Sequence, residues 1–381
     1  MKRLRRALRR LLPHPDGYGK DWSSGGKPRV LFVSSMDGAP LRYRVLHQAE
    51  QIALVGGSWM LMRDTDSSLV QQVYRCDILY LYRTGHTLQV DEAITVARAR
   101  AVPIVYDTDD LTWDERLVEY CELERYYSPH EVARFRSMFR DTEHLMRTVD
   151  CFVASTEYLG SALRAHFGVP VYVNTNALPQ KVVAQTEPIY RQRALAPSAS
   201  RVVIGYFSGW PKAHESDLLV ALPALRRVLN EVPEACLRIV GHFDRAVLPD
   251  DLRARVEAAP FVPYEQLFDE IARVDINLAP LVPNPHRRAK SAVKFLEAAL
   301  VGVPTVASDL EPYRVIDHGH TGWLAADEEG WYAGMMALAT DPARRRAIGA
   351  AARAHVLTHE TTVVRAPAFG TWLRHLVAER L

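Results

Sequence analysis

Residues 284–322 decide the fold, and they read NPHRRAKSAVKFLEAALVGVPTVASDLEPYRVIDHGHTG. The run at 291–301 is rich in Ala, Leu, Lys and Glu, residues that favour a helix. Short apolar runs at 276–279 and 304–307 stand on either side of it. A strand, a helix and a second strand in this order predict a βαβ unit with parallel strands.

The same alternation of apolar runs and helical stretches fills the chain. Continuous Val, Ile, Leu and Tyr runs, unlike alternating ones, are typical of parallel strands buried on both faces. A polar stretch at 185–200 separates two similar halves. The sequence therefore predicts an α/β protein with two doubly wound Rossmann-like domains. The predicted strands are 29–34, 77–82, 102–106, 151–154, 169–173, 202–207, 237–240, 276–279, 304–307 and 322–324, and the predicted helices include 40–55, 130–148, 217–232, 267–273, 291–301 and 328–339.

The length of the chain supports this division. A chain of 381 residues exceeds what one hydrophobic core usually supports. The predicted domains are 28–190 and 200–360, preceded by a basic segment and linker at 1–27. We expect a cleft between the two domains, because α/β proteins bind ligands where their parallel strands end.

Charge is unevenly distributed along the chain. The net charge is only +2, which does not suggest a nucleic-acid partner. Residues 1–12 nevertheless hold six Lys and Arg and no acid, with Leu and Ala spaced along one helical face. A cationic helix with an apolar stripe suits an anionic membrane surface. A basic tail without a partner is the alternative.

The cysteines and the hydropathy indicate the cellular setting. Four cysteines are scattered without the spacing of a zinc site, which favours reduced thiols and a cytoplasmic protein. No run reaches the roughly 18 consecutive apolar residues of a membrane-spanning helix. The N-terminal segment also lacks the cleavage site of a signal peptide.

Charged side chains cluster around the predicted helix 291–301. Ser291 is a plausible N-cap, and Arg287, Arg288 and Lys290 come just before it. Free amides at a helix N-terminus with flanking cations form a site for an anion such as a diphosphate. Lys294 could reach back to the phosphates, and Glu297 could accept hydrogen bonds from ribose hydroxyls. Solvation of one helix face explains the same charges, and spacing alone leaves both interpretations open.

Residues 284–322 resemble the donor-binding segment of glycosyltransferase family 4. The shared features are Leu296-Glu297-Ala298, a strand reading GVPTVAS at 302–308, and a GHTG turn at 319–322. The similarity is greatest to a bacterial polysaccharide branch with the pattern KS-x-x-K-x-LE, matched from Lys290 to Glu297. The resemblance implies the GT-B architecture, with an acceptor-side N-terminal domain and a nucleotide-sugar-binding C-terminal domain. It also implies that Glu297 binds the ribose and that a C-terminal helix at 361–381 returns to the N-terminal domain.

The resemblance extends to the segments on either side. Residues 204–217, IGYFSGWPKAHESD, resemble the strand and loop that approach the phosphates, with Gly209, Lys212 and His214 as donor-binding candidates. Gly209 would let the backbone approach a phosphate closely, and Lys212 could supply charge. In the loop at 261–267, Tyr264 is a candidate for the nucleobase, although packing explains it as well.

The likeness in the N-terminal half is thinner. Residues 34–44, SSMDGAPLRYR, occupy the first turn between strand and helix, where the family places a glycine loop against the sugar. Gly38 is a donor candidate there, and Arg42 and Arg44 are candidates on the acceptor and sugar side. Residues 105–111, VYDTDDL, fall where the family has a histidine near the reacting carbon, which makes Asp109 and Asp107 the catalytic candidates.

Several positions depart from the family pattern. Ala289 stands where many members have a first glutamate that contacts the donor sugar. His214 stands near the place of a phosphate-binding lysine. Sugar identity and the choice between retention and inversion therefore stay open, since an aspartate near the acceptor could serve as a general base.

Metal chemistry has its own signal in the sequence. Asp107-Thr108-Asp109 spells the DxD motif that another transferase architecture uses to hold Mg²⁺ or Mn²⁺. That architecture would leave the second half of the chain unexplained. We expect no metal and no cofactor, because Lys290 and Lys294 can neutralise the leaving diphosphate.

The functional prediction is a glycosyltransferase that moves a sugar from a nucleoside-diphosphate sugar to a polysaccharide or lipid-linked glycan, in the cytoplasm or on the inner face of the membrane. A non-catalytic GT-B protein that binds a carbohydrate or nucleotide within an envelope glycan assembly complex is the alternative. A nucleotide-sugar epimerase of the same shape is a third possibility. The sequence does not name the base, the sugar, the acceptor or the oligomeric state.

Overall fold

The computed structural model describes residues 18–19, 21–196, 201–209 and 215–379. They divide into two compact units, Met1–Pro179 together with Thr362–Leu381, and Gln180–Thr361. The predicted domain limits at 190 and 200 differ from this division. The chain from Gln180 onward belongs to the second unit, where Gln185 donates a hydrogen bond to the backbone oxygen of Glu265 at 2.7 Å.

The first unit contains a six-stranded parallel sheet. Its strand order is β2-β1-β3-β4-β5-β6. The sequence missed the second strand, GSWMLMR, because Met and Leu favour helices and the run has no β-branched residue. The strands are β1 Gly26–Ser34, β2 Gly57–Arg63, β3 Ile78–Tyr82, β4 Ile104–Thr108, β5 Cys151–Ala154 and β6 Val171–Val173.

The second unit contains a second six-stranded parallel sheet. Its order is β12-β11-β10-β7-β8-β9. The sequence missed the edge strand VEAA, whose Glu and Ala are depleted in strands. The strands are β7 Val202–Ser208, β8 Ala235–Gly241, β9 Val256–Ala259, β10 Ile276–Ala279, β11 Thr305–Ser308 and β12 Trp323–Ala325.

Helices cover the sheet of the first unit. The predicted helix 40–55 forms as two α-helices joined by a π-helical turn at Arg42–Leu46. The last helix of the chain, Thr362–Ala378, belongs to this unit, where Trp372 stacks on Tyr172 of β6 at 4.7 Å between ring centroids. The α-helices of this unit are α1 Gly38–Leu41, α2 His47–Leu54, α3 Leu69–Val73, α4 Leu88–Ala99, α5 Leu117–Tyr120, α6 Pro129–Met146, α7 Glu157–Phe167 and, at the end of the chain, α16 Thr362–Ala378.

Helices of the second unit pack on its sheet in the same manner. Leu218, Leu225 and Met335 are fully buried against strand residues such as Ile204 and Leu278. The α-helices are α8 Gln180–Leu195, α9 Glu215–Glu231, α10 Asp250–Arg253, α11 Tyr264–Ala272, α12 Pro285–Arg288, α13 Val293–Leu300, α14 Glu328–Thr340 and α15 Pro342–His359. Among the helices that the structure describes, none is long and apolar enough to cross a membrane.

Strand order locates the ligand-binding edge of each unit. In each sheet the first strand, β1 or β7, is an interior strand. The chain adds the next strand or strands on one side of it and then adds the remaining strands on its other side. The two switch points lie between β1 and β3 and between β7 and β10. Open α/β sheets bind ligands at such points, beyond the carboxyl ends of the strands. The prediction of two doubly wound α/β units is therefore confirmed.

Candidate functional site

The end of β7, at the switch point of the second unit, lies beside the end of the neighbouring strand β8. Gly209 follows β7 and is exposed, and a Cβ added to it would meet no atom within 4 Å. Gly241 ends β8 with φ +105°, and a Cβ there would lie 2.0 Å from the backbone oxygen of Ser208. Glycine at this position therefore allows the two strand ends to lie side by side.

Lys294, in the first turn of α13, reaches the end of β7. Its Nζ donates a hydrogen bond to the backbone oxygen of Phe207 at 2.8 Å and lies 4.2 Å from the ring centroid of Tyr206. Burial lowers the pKa of Lys294 to about 8, while the charges of Asp217 and Glu297 act to raise it. A partly desolvated ammonium at the carboxyl end of the first strand is suited to an anionic ligand at the switch point.

The arginines that precede Lys290 hold the loop together. Arg287 and Asp217 form a buried ion pair, with Nε donating to Oδ1 at 2.9 Å. The same oxygen accepts a hydrogen bond from the backbone of Val282 at 3.1 Å. Arg288 pairs with Glu311 at 2.7 Å. Both arginines thus fix the segment between β10 and α13, and Lys290 and Lys294 are the remaining cations of this stretch.

The predicted cap of α13 is wrong. The helix begins at Val293, and its N-cap is Ala292, which makes no side-chain capping bond. The chain before it instead turns through α12, whose N-cap is Asn284. Ser291 is half-buried in the short connection between the two helices. The side-chain cap in this stretch is that of α12, where the side-chain oxygen of Asn284 accepts a hydrogen bond from the backbone of Arg287 at 2.9 Å.

Glu297 lies in the second turn of α13. Glu297 is 8% exposed, and its negative charge acts to raise the pKa of Lys294, which lies one turn earlier in the helix. Asn277 on β10 fixes this helix, since its Nδ2 donates to the backbone oxygen of Lys294 at 3.2 Å and to Thr305 at 3.0 Å. The helix therefore holds Lys294 and Glu297 together beside the strand ends.

The remaining donor-site candidates have different positions. Tyr264 begins α11, is half-buried, and packs edge-to-face on Phe268 with ring centroids 5.4 Å apart. Packing against a residue of the same helix therefore explains why a tyrosine stands at this position. Lys212 and His214 lie outside the described residues, and their predicted roles stay predictions.

The switch point of the first unit brings the turn after β1 to the turn after β3. Ser35 donates a hydrogen bond to the backbone oxygen of Arg83 at 2.6 Å. Gly38 is exposed, has φ +67° and begins α1, so it supplies backbone without side-chain obstruction. Arg42, the first residue of the π-helical turn, is half-buried.

The structure contradicts the prediction that Arg44 faces a sugar. Arg44 is fully buried and donates to both carboxylate oxygens of Asp107, at 2.9 and 2.8 Å. Its other terminal nitrogen donates to the backbone oxygen of Asn174 at 2.7 Å and to Asn176 at 3.0 Å. The π-helical turn buries three consecutive side chains, from Tyr43 to Val45, which directs the guanidinium into the core.

Asp107 is equally inaccessible, so the structure does not support its candidacy as a catalytic residue. It accepts hydrogen bonds from Gln48 at 2.6 Å and Tyr80 at 2.7 Å besides those from Arg44. Burial raises the pKa of Asp107, and the charge and hydrogen bonds of Arg44 oppose that rise. The carboxylate is thus the compensating charge for a buried arginine.

The next two aspartates lie at the carboxyl end of β4 and share Arg83. Arg83 Nη2 lies 2.8 Å from Asp109 and 3.2 Å from Asp110. Asp110 also accepts from the backbone of Leu111 at 2.9 Å and so fixes the turn. Tyr82 donates to Asp109 at 3.0 Å, and the Asp109 side chain is 20% exposed. Asp109 is therefore the accessible carboxylate of the three.

The sequence offers an ion pair with a nearby arginine, Arg44 or Arg83, as the ordinary alternative role for one of these aspartates, and the structure contains both pairings. Arg83 directly follows the buried strand β3. Its φ of +43° is uncommon for a residue with a side chain, and such strain is typical of positions held by their surroundings.

Among the described residues, no group of three or more His, Cys, Asp or Glu side chains is arranged to hold a metal ion.

Two doubly wound α/β units of this topology match the fold of the GT-B class. Solved structures share this fold across nearly their whole length. HepE from Anabaena in complex with UDP matches with a TM-score of 0.59 and 16% identity, covering 91% of this chain and 100% of that one. Sucrose-phosphate synthase from Thermosynechococcus elongatus matches with a TM-score of 0.62 and 15% identity, covering 93% and 100%. WaaG, a glycosyltransferase involved in lipopolysaccharide biosynthesis, matches with a TM-score of 0.57 and 13% identity, covering 89% and 98%.

The sequence itself carries a family signature in the second unit. Residues 201–341 match the family described as Glycosyl transferases group 1. The second unit therefore carries a Glycosyl transferases group 1 domain, and the predictions of a GT-B fold and of a glycosyl-transfer enzyme are confirmed. No curated protein matches the chain at a significant level.

Proposed function

We propose that this glycosyltransferase transfers a sugar from a nucleoside-diphosphate sugar to a polysaccharide or lipid-linked glycan. The observation that carries the donor proposal is the hydrogen bond between Lys294 and Phe207, which holds an ammonium at the carboxyl end of β7. That position lies at the switch point of the sheet, where a diphosphate would be attracted by the ammonium and could come close to the backbone at the strand ends.

The proposed donor site assigns one chemical task to each group. Lys290 and Lys294 neutralise the diphosphate as it leaves, without a metal ion, and Gly209 admits a phosphate close to the backbone. Glu297 accepts hydrogen bonds from the ribose hydroxyls. Full turnover in excess EDTA is expected of this mechanism. HepE was solved with UDP and with UDP-glucose, which supports a uridine nucleotide as the first donor to test.

In the first unit, Asp109 is the proposed catalytic residue. Its carboxylate is partly exposed at the end of β4, whereas Asp107 is buried and Asp110 fixes a turn. Arg83 and Tyr82 orient the carboxylate by an ion pair and a hydrogen bond. A carboxylate so placed can stabilise the reacting sugar or accept a proton from the acceptor.

A binding protein without turnover is the second candidate function. Ala289 is fully buried where many relatives carry a glutamate that contacts the donor sugar, so that contact is missing at this position. Slow hydrolysis of UDP-glucose by the purified protein separates the two functions. A pure binding protein releases no UDP.

The acceptor proposal rests on the relatives and on the N-terminal segment. WaaG acts in lipopolysaccharide biosynthesis, which supports an envelope glycan as acceptor. Residues 1–12 carry six cations and an apolar stripe, and they lie outside the described residues. We propose that this segment holds the enzyme at the inner face of the cell membrane through anionic lipids.

Glu297→Ala is expected to weaken UDP binding about tenfold or more. A hydrogen bond to a charged group contributes about 1.5–3 kcal/mol when its loss leaves the partner unsatisfied. Isothermal titration calorimetry measures the affinity, and Glu234→Ala, an exposed glutamate before β8, is the control. Unchanged affinity in a folded Glu297→Ala protein removes Glu297 from the site.

UDP affinity is expected to fall as the pH rises through about 8. The pKa of Lys294 is lowered to about 8 by burial, so the ammonium loses its proton in this range, and only the charged form attracts a diphosphate. Titrations from about pH 7 to about pH 9 test this. Lys294→Met should bind weakly with a flat profile, and an equal decline in both proteins would assign the pH dependence to another group.

Asp107→Asn and Asp109→Asn form a matched pair with opposite expected effects. Asp107→Asn leaves the buried Arg44 charge uncompensated and should lower the free energy of unfolding by about 3–5 kcal/mol. Asp109→Asn should lower turnover about 100-fold, the scale of general acid–base catalysis, and leave UDP affinity nearly unchanged. Denaturant titration and UDP release are the measurements. Normal turnover with reduced stability in Asp109→Asn would make Asp109 a structural residue.

Deletion of residues 1–12 is expected to abolish most binding to vesicles that contain phosphatidylglycerol and to spare UDP-glucose hydrolysis. Co-sedimentation with phosphatidylcholine vesicles, with and without phosphatidylglycerol, measures it. A variant with the six cations of this segment changed to Gln keeps the apolar stripe and isolates the electrostatic part. Equal vesicle binding by the full chain and the deletion variant contradicts the proposal.

A further inference from the structure

A cavity lies at the amino end of the second sheet, away from the proposed donor site. Its volume is about 440 Å³. Val203 near the start of β7, Asp275 just before β10, and Gly302 before β11 line it. The donor site lies beyond the opposite ends of these strands. The two sites are therefore separated by the length of the sheet.

The charges that line this cavity are mostly positive. Asp275 is the acidic residue among the described lining residues. One of its oxygens accepts a hydrogen bond from the backbone of Val203 at 2.9 Å. Its other oxygen lies 3.9 Å from Arg193 and 3.6 Å from Arg345, so one carboxylate serves two guanidinium groups. The lining arginines are Arg193, Arg201, Arg273, Arg345 and Arg346.

The two arginines around Asp275 are recessed and held by the backbone. Their side chains are 22% exposed in Arg193 and 6% exposed in Arg345. Arg193 donates to the backbone oxygen of Ala272 at 2.7 Å, and Arg345 donates to that of Leu338 at 2.7 Å. Burial lowers the pKa of Arg193, Asp275 raises it, and the positive charge of Arg345 lowers it again. The pair thus keeps an excess of positive charge below the surface.

Two further arginines extend the positive field to the rim of the cavity. Arg201 pairs with Glu257 at 2.6 Å and is 51% exposed, and Arg273 pairs with Glu270 at 3.1 Å and is 64% exposed. Exposed ion pairs of this kind are weak and exchange partners at small cost. They can turn toward an anion that enters the cavity.

We propose that this cavity binds a small phosphate-bearing molecule at a site separate from the nucleotide-sugar site. Guanidinium groups match phosphate oxygens in geometry and charge, and the volume falls in the range of small-molecule sites. A lipid headgroup carries the same phosphate chemistry. The recessed position of Arg193 and Arg345 favours a soluble molecule that can enter the cavity.

Inorganic phosphate is the probe, titrated by calorimetry into the full-length protein at constant ionic strength, both without UDP and in saturating UDP. Arg193→Gln should weaken phosphate binding about tenfold or more, and Arg273→Gln should weaken it less. Arg344→Gln is the control, because Arg344 lies on α15 next to the lining residues Arg345 and Arg346 but does not itself line the cavity. UDP affinity should be unchanged in all three variants, whereas Glu297→Ala tests the donor site separately.

Three results would overturn the proposal. Equal phosphate affinity in the wild type and Arg193→Gln removes the recessed arginine from any site, and competition between phosphate and UDP places phosphate at the donor site. Binding to phosphatidylglycerol vesicles that depends on Arg193, without binding of free phosphate, assigns the cavity to a lipid. If Arg193→Gln melts early, Arg273→Gln decides, since its exposed side chain is not needed for folding.

Discussion

The hydrogen bond from Lys294 to the backbone oxygen of Phe207 joins the helix after β10 to the end of β7. A half-buried ammonium needs compensation, and the charges around it alternate in sign. Asp217 and Glu297 favour the charged lysine, while Arg287 opposes it and is itself paired with Asp217. The charges of Lys294, Asp217, Glu297 and Arg287 thus hold the loop before α13, the helix itself and the end of β7 together. The proposed diphosphate would add a negative charge beside Lys294.

The first unit solves a related problem in a different way. Arg44 and Asp107 neutralise one another in the core, and Asn174, Asn176, Gln48 and Tyr80 satisfy their remaining hydrogen bonds. Such a pair adds little to stability over an apolar core, but loss of either partner is costly. It fixes β4 and the segment after β6 to one another. Asp109, the carboxylate proposed for catalysis, lies two residues later, just beyond the end of β4.

The second sheet therefore carries positive charge at both of its ends, for different physical reasons. At the carboxyl end, Lys294 is held by a strand and balanced by two carboxylates. At the amino end, Arg193 and Arg345 share Asp275, and neither lies within hydrogen-bonding distance of it. The two proposed anion sites thus lie on one sheet, at opposite ends of the paired strands β7 and β10.

The sequence by itself determined the alternation of strands and helices, the class of the protein and the grouping of Lys290, Lys294 and Glu297 on one short segment. The alternation and the grouping are local properties, set by hydrophobic pattern and by spacing along a helix, whereas the class came from the resemblance of residues 284–322 to a known family. The tertiary structure decided that α13 begins without a Ser291 cap, that GSWMLMR forms a strand, and that Arg44 and Asp107 are buried while Asp109 is accessible. Arg44 finds its partners 63, 130 and 132 residues away. Burial and charge compensation depend on such distant partners, and no local pattern encodes them.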